Sequence, residues 1–396
     1  MFKTIALILS LLLIFALPVS SQEIIEEPDM TPLEAVAVAA EGEIIDIKAQ
    51  SAILMDKDSG TVLYESGADE KCAPASITKI MSLILVMEAI DKGNLTYDTM
   101  LTCSDTAAAL GGSQIWLEPG ETMSVHELLK AVTVVSANDA TVLLAEAVAG
   151  SEESFVVMMN QRAKELGMNS TNFENSTGLD SENHYSTAHD VALMSAELLK
   201  HEKIKEYTTI WMDSLRNGES ELVNTNKLVR FYEGCTGLKT GTTSDAGYCL
   251  SASAEREGLS LIAVVMSGET SNDRFSGAQK LLNYGFAHYK RTQIQPSLEE
   301  NLYLPVKKGT EKQVKVTAEE NFSALLRKNE AGKVTSEVVL PENLTAPVTK
   351  GQQIGEIRYL LEGEEIGIVP IYAENEVKKL DIWRSFAILL KYLCTH

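Results

Sequence analysis

Positive charge is in short supply in this chain. Its 396 residues hold 34 Lys and Arg against 56 Asp and Glu, a formal net charge of −22. That imbalance argues against nucleic acid as a partner and against adsorption of the whole protein to anionic lipid. Cysteine is also scarce. Cys72, Cys103, Cys235, Cys249 and Cys394 form no C-x-x-C pair and no zinc-type spacing. Cys235 and Cys249 are placed to face each other across a hairpin, but buried free thiols are the expectation for most of the five. No H-E-x-x-H occurs. His184 and His189, five apart with Asp190 beside them, do not make a ligand set, and the stretch around His126 lacks a second histidine. No metal or other cofactor is expected. Internal repeats are absent.

The N-terminus has a short apolar run, Ile5 to Leu17, behind Lys3. It is too short to span a bilayer comfortably, and small residues follow at Val19 and Ser21. This is the pattern of a signal peptide over residues 1–21, cleaved after Ser21, so the protein leaves the cytosol. Export permits disulfides.

Composition divides the remainder. Residues 22–48 are acidic and irregular, a linker. Apolar content of 45% and charged content of 23% suit a folded protein with room for two domains. "SAILMDKDSGTVLYES" reads as a hairpin turning at Asp58-Ser59-Gly60. A mostly helical region runs from Ser76 to about Lys205. Further strands follow in "GCTGLKTGTTSDAGYCLSASAE" and "LSLIAVVMSG", then a helix in "SNDRFSGAQKLLNYGFAHY". Strands at both ends with helices between them predict an α+β domain over residues 49–293: one sheet assembled from distant segments, with a helical insertion. Residues 294–374 are Val-rich, alternating and punctuated by turns, a small all-β domain. Residues 377–396 change again, to an amphipathic helix.

One short stretch poses a chemical question. In "PASITKIMSLILVMEAI", Ser76 and Lys79 stand one turn apart at the start of an apolar helix, and a buried lysine is costly unless compensated. Alone, the pair is a helix cap and a snorkelling lysine as readily as a catalytic dyad. Two more motifs follow: Ser136 and Asn138 in "VVSANDAT", and Lys239, Thr240 and Gly241 in "LKTGTTSDAGY". Each is weak by itself. The ordered set S-x-x-K, S-x-N, K-T-G, separated by about 60 and 100 residues, is that of the penicillin-recognising serine enzymes.

From about Ile53 to Tyr289 the chain resembles the serine-type D-alanyl-D-alanine carboxypeptidases, the low-molecular-mass penicillin-binding proteins. Besides the three motifs, "GGSQIWLEPGE", "RAKELGMNSTNFENSTGLD", "HYSTAHDVALM", "NTNKLV" and "AQKLLNYGF" carry the likeness, and a following β domain with a terminal helix fits the family layout. One departure is Ala137, where many relatives have glycine. The resemblance implies the penicillin-binding/β-lactamase-like transpeptidase fold, an antiparallel sheet flanked by helices. It also implies a substrate, the peptidoglycan stem pentapeptide ending in D-Ala-D-Ala, and acylation by β-lactam antibiotics.

The chemistry fits these residue types. Acyl transfer from a peptide needs a hydroxyl that loses its proton, and a neutral amine one turn away can take it. Ser76 is the expected nucleophile and Lys79 its base. Burial and a second ammonium at Lys239 would favour the uncharged form of Lys79. Ser136 is the candidate relay between the two lysines, returning a proton to the leaving D-alanine. Asn138 would hold the Lys79 ammonium or the substrate amide. Lys239 and Thr240 suit the substrate's terminal carboxylate, with Arg274 a further contact, and Gly241 lets the substrate backbone approach the strand. By resemblance, the backbone N–H groups of Ser76 and Thr242 form the oxyanion hole.

The alternatives are a D,D-endopeptidase on cross-links and a weak β-lactamase. A fast lactamase of class A carries a glutamate in an E-x-x-L-N motif, and the nearest match here, "ELGMN" at Glu165, has the wrong spacing. A non-catalytic wall-binding protein would not need all three motifs intact. From Leu380 to Cys394 a helical projection gathers Leu380, Ile382, Trp383, Phe386, Ala387, Leu389, Leu390 and Leu393 on one arc, behind Lys378 and Lys379. That segment is too short and charged to span a bilayer and suits a helix lying in the membrane interface. The enzyme would then sit on the outer face of the cytoplasmic membrane, on the cell-wall side.

Overall fold

The computed structural model describes residues 29–381 other than 41, 296, 297, 300, 319, 320 and 331, together with Phe386. The expected signal peptide and nearly all of the expected C-terminal helix lie outside the described residues. Its first residues do not begin a helix. Val377 and Lys379 are extended and bridge to Val348 and Gly309, and Leu380 N donates to Lys308 O.

Strands β1 (Ala49–Asp56), β2 (Val62–Ser66), β3 (Cys235–Thr243), β4 (Gly247–Arg256) and β5 (Leu259–Gly268) form an antiparallel sheet in the order β2-β1-β5-β4-β3. The hairpin turns where expected, with Ser59 N and Oγ both donating to Asp56. Chain-distant β1 and β5 lie side by side, Ile53 opposite Val264. Their apolar runs are continuous because both faces are covered. Ile53, Ile262, Val264 and Met266 point into one core, while Leu54, Leu261, Ala263 and Val265 point into a second.

The first core is filled by the helical insertion, chiefly α1 (Lys79–Asp91), α2 (Val125–Val134), α3 (Asn138–Ala149), α4 (Glu152–Glu165) and α5 (Ala188–Leu198). Every residue of α1 from Lys79 to Met87 is buried. The i, i+3, i+4 pattern read from the sequence is thus part of a helix buried on every side as far as Met87, reaching solvent only in its last turn. The second core lies under α6 (Ser271–His288), which contributes Phe275, Ala278, Leu281 and Leu282.

Residues 29–40 and 42–48 are irregular, as expected of a linker, yet the segment packs. Ile45 is buried in the second core, Lys280 Nζ donates to Asp46 O, and the His288 ring meets Ala39 O at 2.9 Å. Lys227 bonds to Asp29 and holds that carboxyl down at about 2.

Strand β6 (Tyr289–Ile294) leaves α6 and pairs with β9 (Phe322–Arg327). Arg291 on β6 also reaches back to buried Asp56, at 2.8 Å to both oxygens. Six strands of the C-terminal part, β7 (Tyr303–Lys307), β8 (Gln313–Ala318), β10 (Val334–Val339), β11 (Leu344–Thr345), β12 (Gln353–Leu361) and β13 (Glu364–Ala373), form a sheet in the order β10-β12-β13-β8-β7-β11, with its own core around Val314, Ile357, Tyr359 and Ile371.

Candidate active site

Ser76 does not cap a helix. It lies in a 3-10 turn, Ala75–Thr78, that precedes α1, and it makes no capping bond. Side chains three apart eclipse in such a turn, which aligns Ser76 with Lys79. Lys79 Nζ donates to Ser76 Oγ at 2.7 Å and to the Thr177 carbonyl at 2.7 Å. Lys79 is fully buried and Ser76 is 2% exposed.

The loop that offers Thr177 O is shaped by its own residues. Asn175 Oδ1 accepts from Thr177 N, Thr177 Oγ1 and Gly178 N, an Asx-type turn. Ser82 on α1 donates to Ser176 O, and Ser176 donates through N and Oγ to Glu152. His184 braces the other side. Its Nδ1 accepts from Glu174 N, so Nε2 carries the proton that Thr78 Oγ1 accepts at 2.8 Å. Burial pulls the His184 pKa down to about 4, which keeps the ring neutral. Gly178, at φ +88°, lies directly against the Ala75–Ser76 backbone.

The second wall is the α2–α3 junction. Ser136 has φ +65° and is buried, and among the described residues its Oγ has no hydrogen-bond partner. The expected bridge from Ser136 to the two lysines is therefore not formed as a hydrogen bond in this state. Ala137 has φ −59°, where alanine fits as well as glycine. Asn138 donates through Nδ2 to Gly111 O at 2.8 Å and through its backbone N to Ser113 O at 2.7 Å. The adjacent Asp139 is fully buried. Its carboxylate accepts from Ile115 N and Leu117 N, so residues 111–117 hang from Asn138 and Asp139.

The third wall is β3, the edge strand of the five-stranded sheet. Lys239 is buried, and its Nζ donates to Thr240 O at 2.9 Å. Thr240 Oγ1 donates to Thr225 Oγ1, and Thr225 N donates to Val134 O at the end of α2. These bonds tie β3 to the Ser136 wall. Thr243 Oγ1 donates to Asp180, tying β3 to the Thr177 loop. A Cβ on Gly241 would lie 2.9 Å from Ser76 N and 3.0 Å from Ile77 N. The structure gives this glycine a reason beyond the one the sequence suggested: it admits the turn that carries Ser76. Arg274 is wholly buried, donating through Nη1 to Thr242 Oγ1 at 2.7 Å and through Nη2 to Ser271 Oγ at 3.3 Å. In this state the guanidinium positions Thr242.

Three basic side chains, Lys79, Lys239 and Arg274, are thus all buried in the walls of this site in an acidic protein. A hydroxyl 2.7 Å from an amine is within proton-transfer reach. An edge strand has backbone groups to pair with an extended peptide laid beside Ser76. Sequence reasoning passed over Asp139, Thr225, Asn175 and Gly178. Asp139 had a signal, an acid in the first turn of a helix, but nothing in the sequence said that it would gather a distant loop. Cys235 and Cys249 do not oppose one another: they pair in register with Ala254 and Gly241, and Cys72, Cys103, Cys235 and Cys249 are free thiols.

Across residues 35–270 the chain matches a family profile described as D-alanyl-D-alanine carboxypeptidase, and across residues 292–379 that of the penicillin-binding protein 5 C-terminal domain. It is 43% identical over 336 residues to D-alanyl-D-alanine carboxypeptidase DacF of Bacillus subtilis, covering 84% of this chain and 86% of that one. Penicillin-binding protein 5 of Haemophilus influenzae superposes with a TM-score of 0.73 at 32% identity, over 85% of this chain and 99% of that one. Penicillin-binding protein D2 of Listeria monocytogenes, solved in an ampicillin-bound form, aligns at 34% identity with a TM-score of 0.57, over 62% of this chain and 100% of that one.

Proposed function

The chain belongs to the D-alanyl-D-alanine carboxypeptidase family of serine peptidases, and from that membership we propose how its residues carry out the reaction. The activity is removal of the terminal D-alanine from peptidoglycan stem peptides. Neutral Lys79 takes the Ser76 proton as Oγ attacks the carbonyl of the penultimate D-alanine. The oxyanion is met by the backbone N–H groups of Ser76 and Thr242, donors of a kind worth about 3–4 kcal/mol in other enzymes. Collapse expels D-alanine, which leaves with a proton relayed through Ser136. Water, deprotonated by Lys79, then hydrolyses the ester. Asn138 steadies the acyl side of the substrate. Lys239 and Thr240 take its terminal carboxylate, and Arg274 acts on that contact through Thr242. A buried Ser136 hydroxyl with no hydrogen-bond partner among the described residues suits a relay completed only with substrate bound.

The observation that carries this reading is the 2.7 Å contact between Ser76 and a lysine with no exposed surface. Purified protein mixed with a pentapeptide ending in D-Ala-D-Ala should release one alanine by mass spectrometry. Benzylpenicillin should add to the peptide containing "ASITK". An adduct on Ser136, or none, rejects the assignment. Cleavage of cross-linked dimers but not pentapeptide would favour the endopeptidase. The lactamase alternative loses ground at Glu165, which faces solvent at the end of α4 and pairs with Arg162 at 3.4 Å.

An enzyme of peptidoglycan works beyond the cytoplasm, and the N-terminal pattern of residues 1–21 supplies the export signal. The proposed units are a peptidase domain over 49–293, a β domain over 294–374 that stands the site off from the membrane, and an interfacial helix beyond it. Among the described residues no helix is long and apolar enough to cross a membrane. Truncation tests the anchor, and the bridges at Val377 and Lys379 place the cut after Asp381, so that the β domain keeps those pairings. The truncated enzyme should move to the soluble fraction of cells with its activity on a small peptide retained. Retention on membranes would reject the anchor.

A further inference from the structure

Beside the Asn138 wall, residues 105–119 enclose a groove of about 510 Å³ lined by Asp105, Leu110, Gln114, Trp116, Glu118 and Pro119, among others. Trp116 is 73% exposed and has φ +59°. Both are unfavourable for an aromatic residue, and a left-handed backbone at a bulky side chain persists only where its surroundings enforce it. Here they do. Asp139 takes the N–H groups on either side, those of Ile115 and Leu117. Arg216 donates to Ile115 O at 3.0 Å and to Trp116 O at 3.4 Å, and is itself fixed by Glu121 at 2.8 and 3.1 Å. The same loop gives Gly111 O and Ser113 O to Asn138. The indole is therefore held outward on a frame continuous with the catalytic wall.

We propose that this groove is an upstream substrate subsite that takes the side-chain ammonium of the stem peptide's diamino acid. The proposal rests on the carboxypeptidase reading above. With the penultimate D-alanine at Ser76, the diamino residue is the next one upstream, on the side of the substrate assigned to Asn138. One extended residue covers about 3.3 Å, and a lysine-type side chain extends the reach further. The groove's chemistry matches a cation on an aliphatic stem. An indole face is the best of the aromatic partners for an ammonium, Leu110 and Pro119 supply apolar surface, and Asp105 and Glu118 are exposed carboxylates that form no salt bridge among the described residues.

The test compares two pentapeptides ending in L-Lys-D-Ala-D-Ala, one with a free lysine amine and one with that amine acetylated, using the full chain. The wild-type enzyme should favour the free amine in kcat/KM by about two- to fivefold from the indole contact alone, chiefly through KM, and added salt should narrow the gap. Trp116→Ala should remove most of the preference, Trp116→Phe should keep part of it, and Trp116→Ala with Glu118→Gln should abolish it. Equal cleavage of the two peptides by wild type overturns the subsite and leaves the carboxypeptidase reading standing. So does an undiminished preference in Trp116→Ala. Cleavage of neither peptide overturns both.

Discussion

Lys79→Met should fold and should not react. The thioether side chain has nearly the length of lysine, carries no charge, and suits a position with no exposed surface among the apolar residues of α1. It has no group to take the Ser76 proton. Loss of a positioned general base costs roughly 10²- to 10⁴-fold in rate, so labelling by fluorescent penicillin and release of D-alanine should both fall by at least the lower figure, with a melting temperature near that of wild type. Lys79→Arg tests the same point from the opposite side. Guanidinium stays charged at any pH the protein survives, and at a fully buried position that fixed charge is expensive. This variant should lose acylation and also melt earlier. A lysine that served only to hold Thr177 O would be replaced by arginine with much of the acylation preserved, and that result would show another group to be the base.

The three motifs were legible because each lies in a short run of sequence whose local geometry is strong. Ser76 and Lys79 are three apart, and any helical turn aligns them. The architecture was legible for a similar reason. The strands are continuous apolar runs and the insertion between them is helical, so a sheet built from distant segments was the simplest outcome. What could not be read were contacts set by tertiary packing. That Thr177 O would be the second acceptor for Lys79 depends on a loop 98 residues away in sequence. That Gly241 yields to the nucleophile turn depends on how closely β3 and the turn pack. The periodic pattern in α1 suggested one buried face because a sequence shows which positions are apolar, not how many neighbours will surround them. The extended Val377–Lys379 segment was missed because a helical projection of apolar residues starts equally well at 377 or a few residues later.

Gly178→Ala should disable the site without touching any group that reacts. Two independent features of the structure demand glycine there. Its φ of +88° is a conformation that L side chains rarely adopt, and an added Cβ would fall 1.8 Å from Ala75 O and 2.9 Å from Ser76 N. The first is backbone and cannot rotate away, so one of two segments must move by an ångström or more. If the Ala75–Thr78 turn retreats, Ser76 Oγ leaves its place beside β3. If the Asn175–Gly178 loop retreats, Thr177 O leaves Lys79 Nζ, to which it is bonded at 2.7 Å. A 1 Å misplacement of a catalytic group costs on the order of a hundredfold in rate, and overpacking of this kind costs about 1–3 kcal/mol in stability. Penicillin labelling should therefore slow by about two orders of magnitude while far-UV circular dichroism still reports a folded protein. Gly332→Ala in the β domain is the matched control, since a Cβ there meets nothing within 4 Å. Wild-type labelling by Gly178→Ala would mean that the nucleophile turn tolerates displacement, and the tight coupling of the Thr177 loop to Ser76 and Lys79 would have to be abandoned.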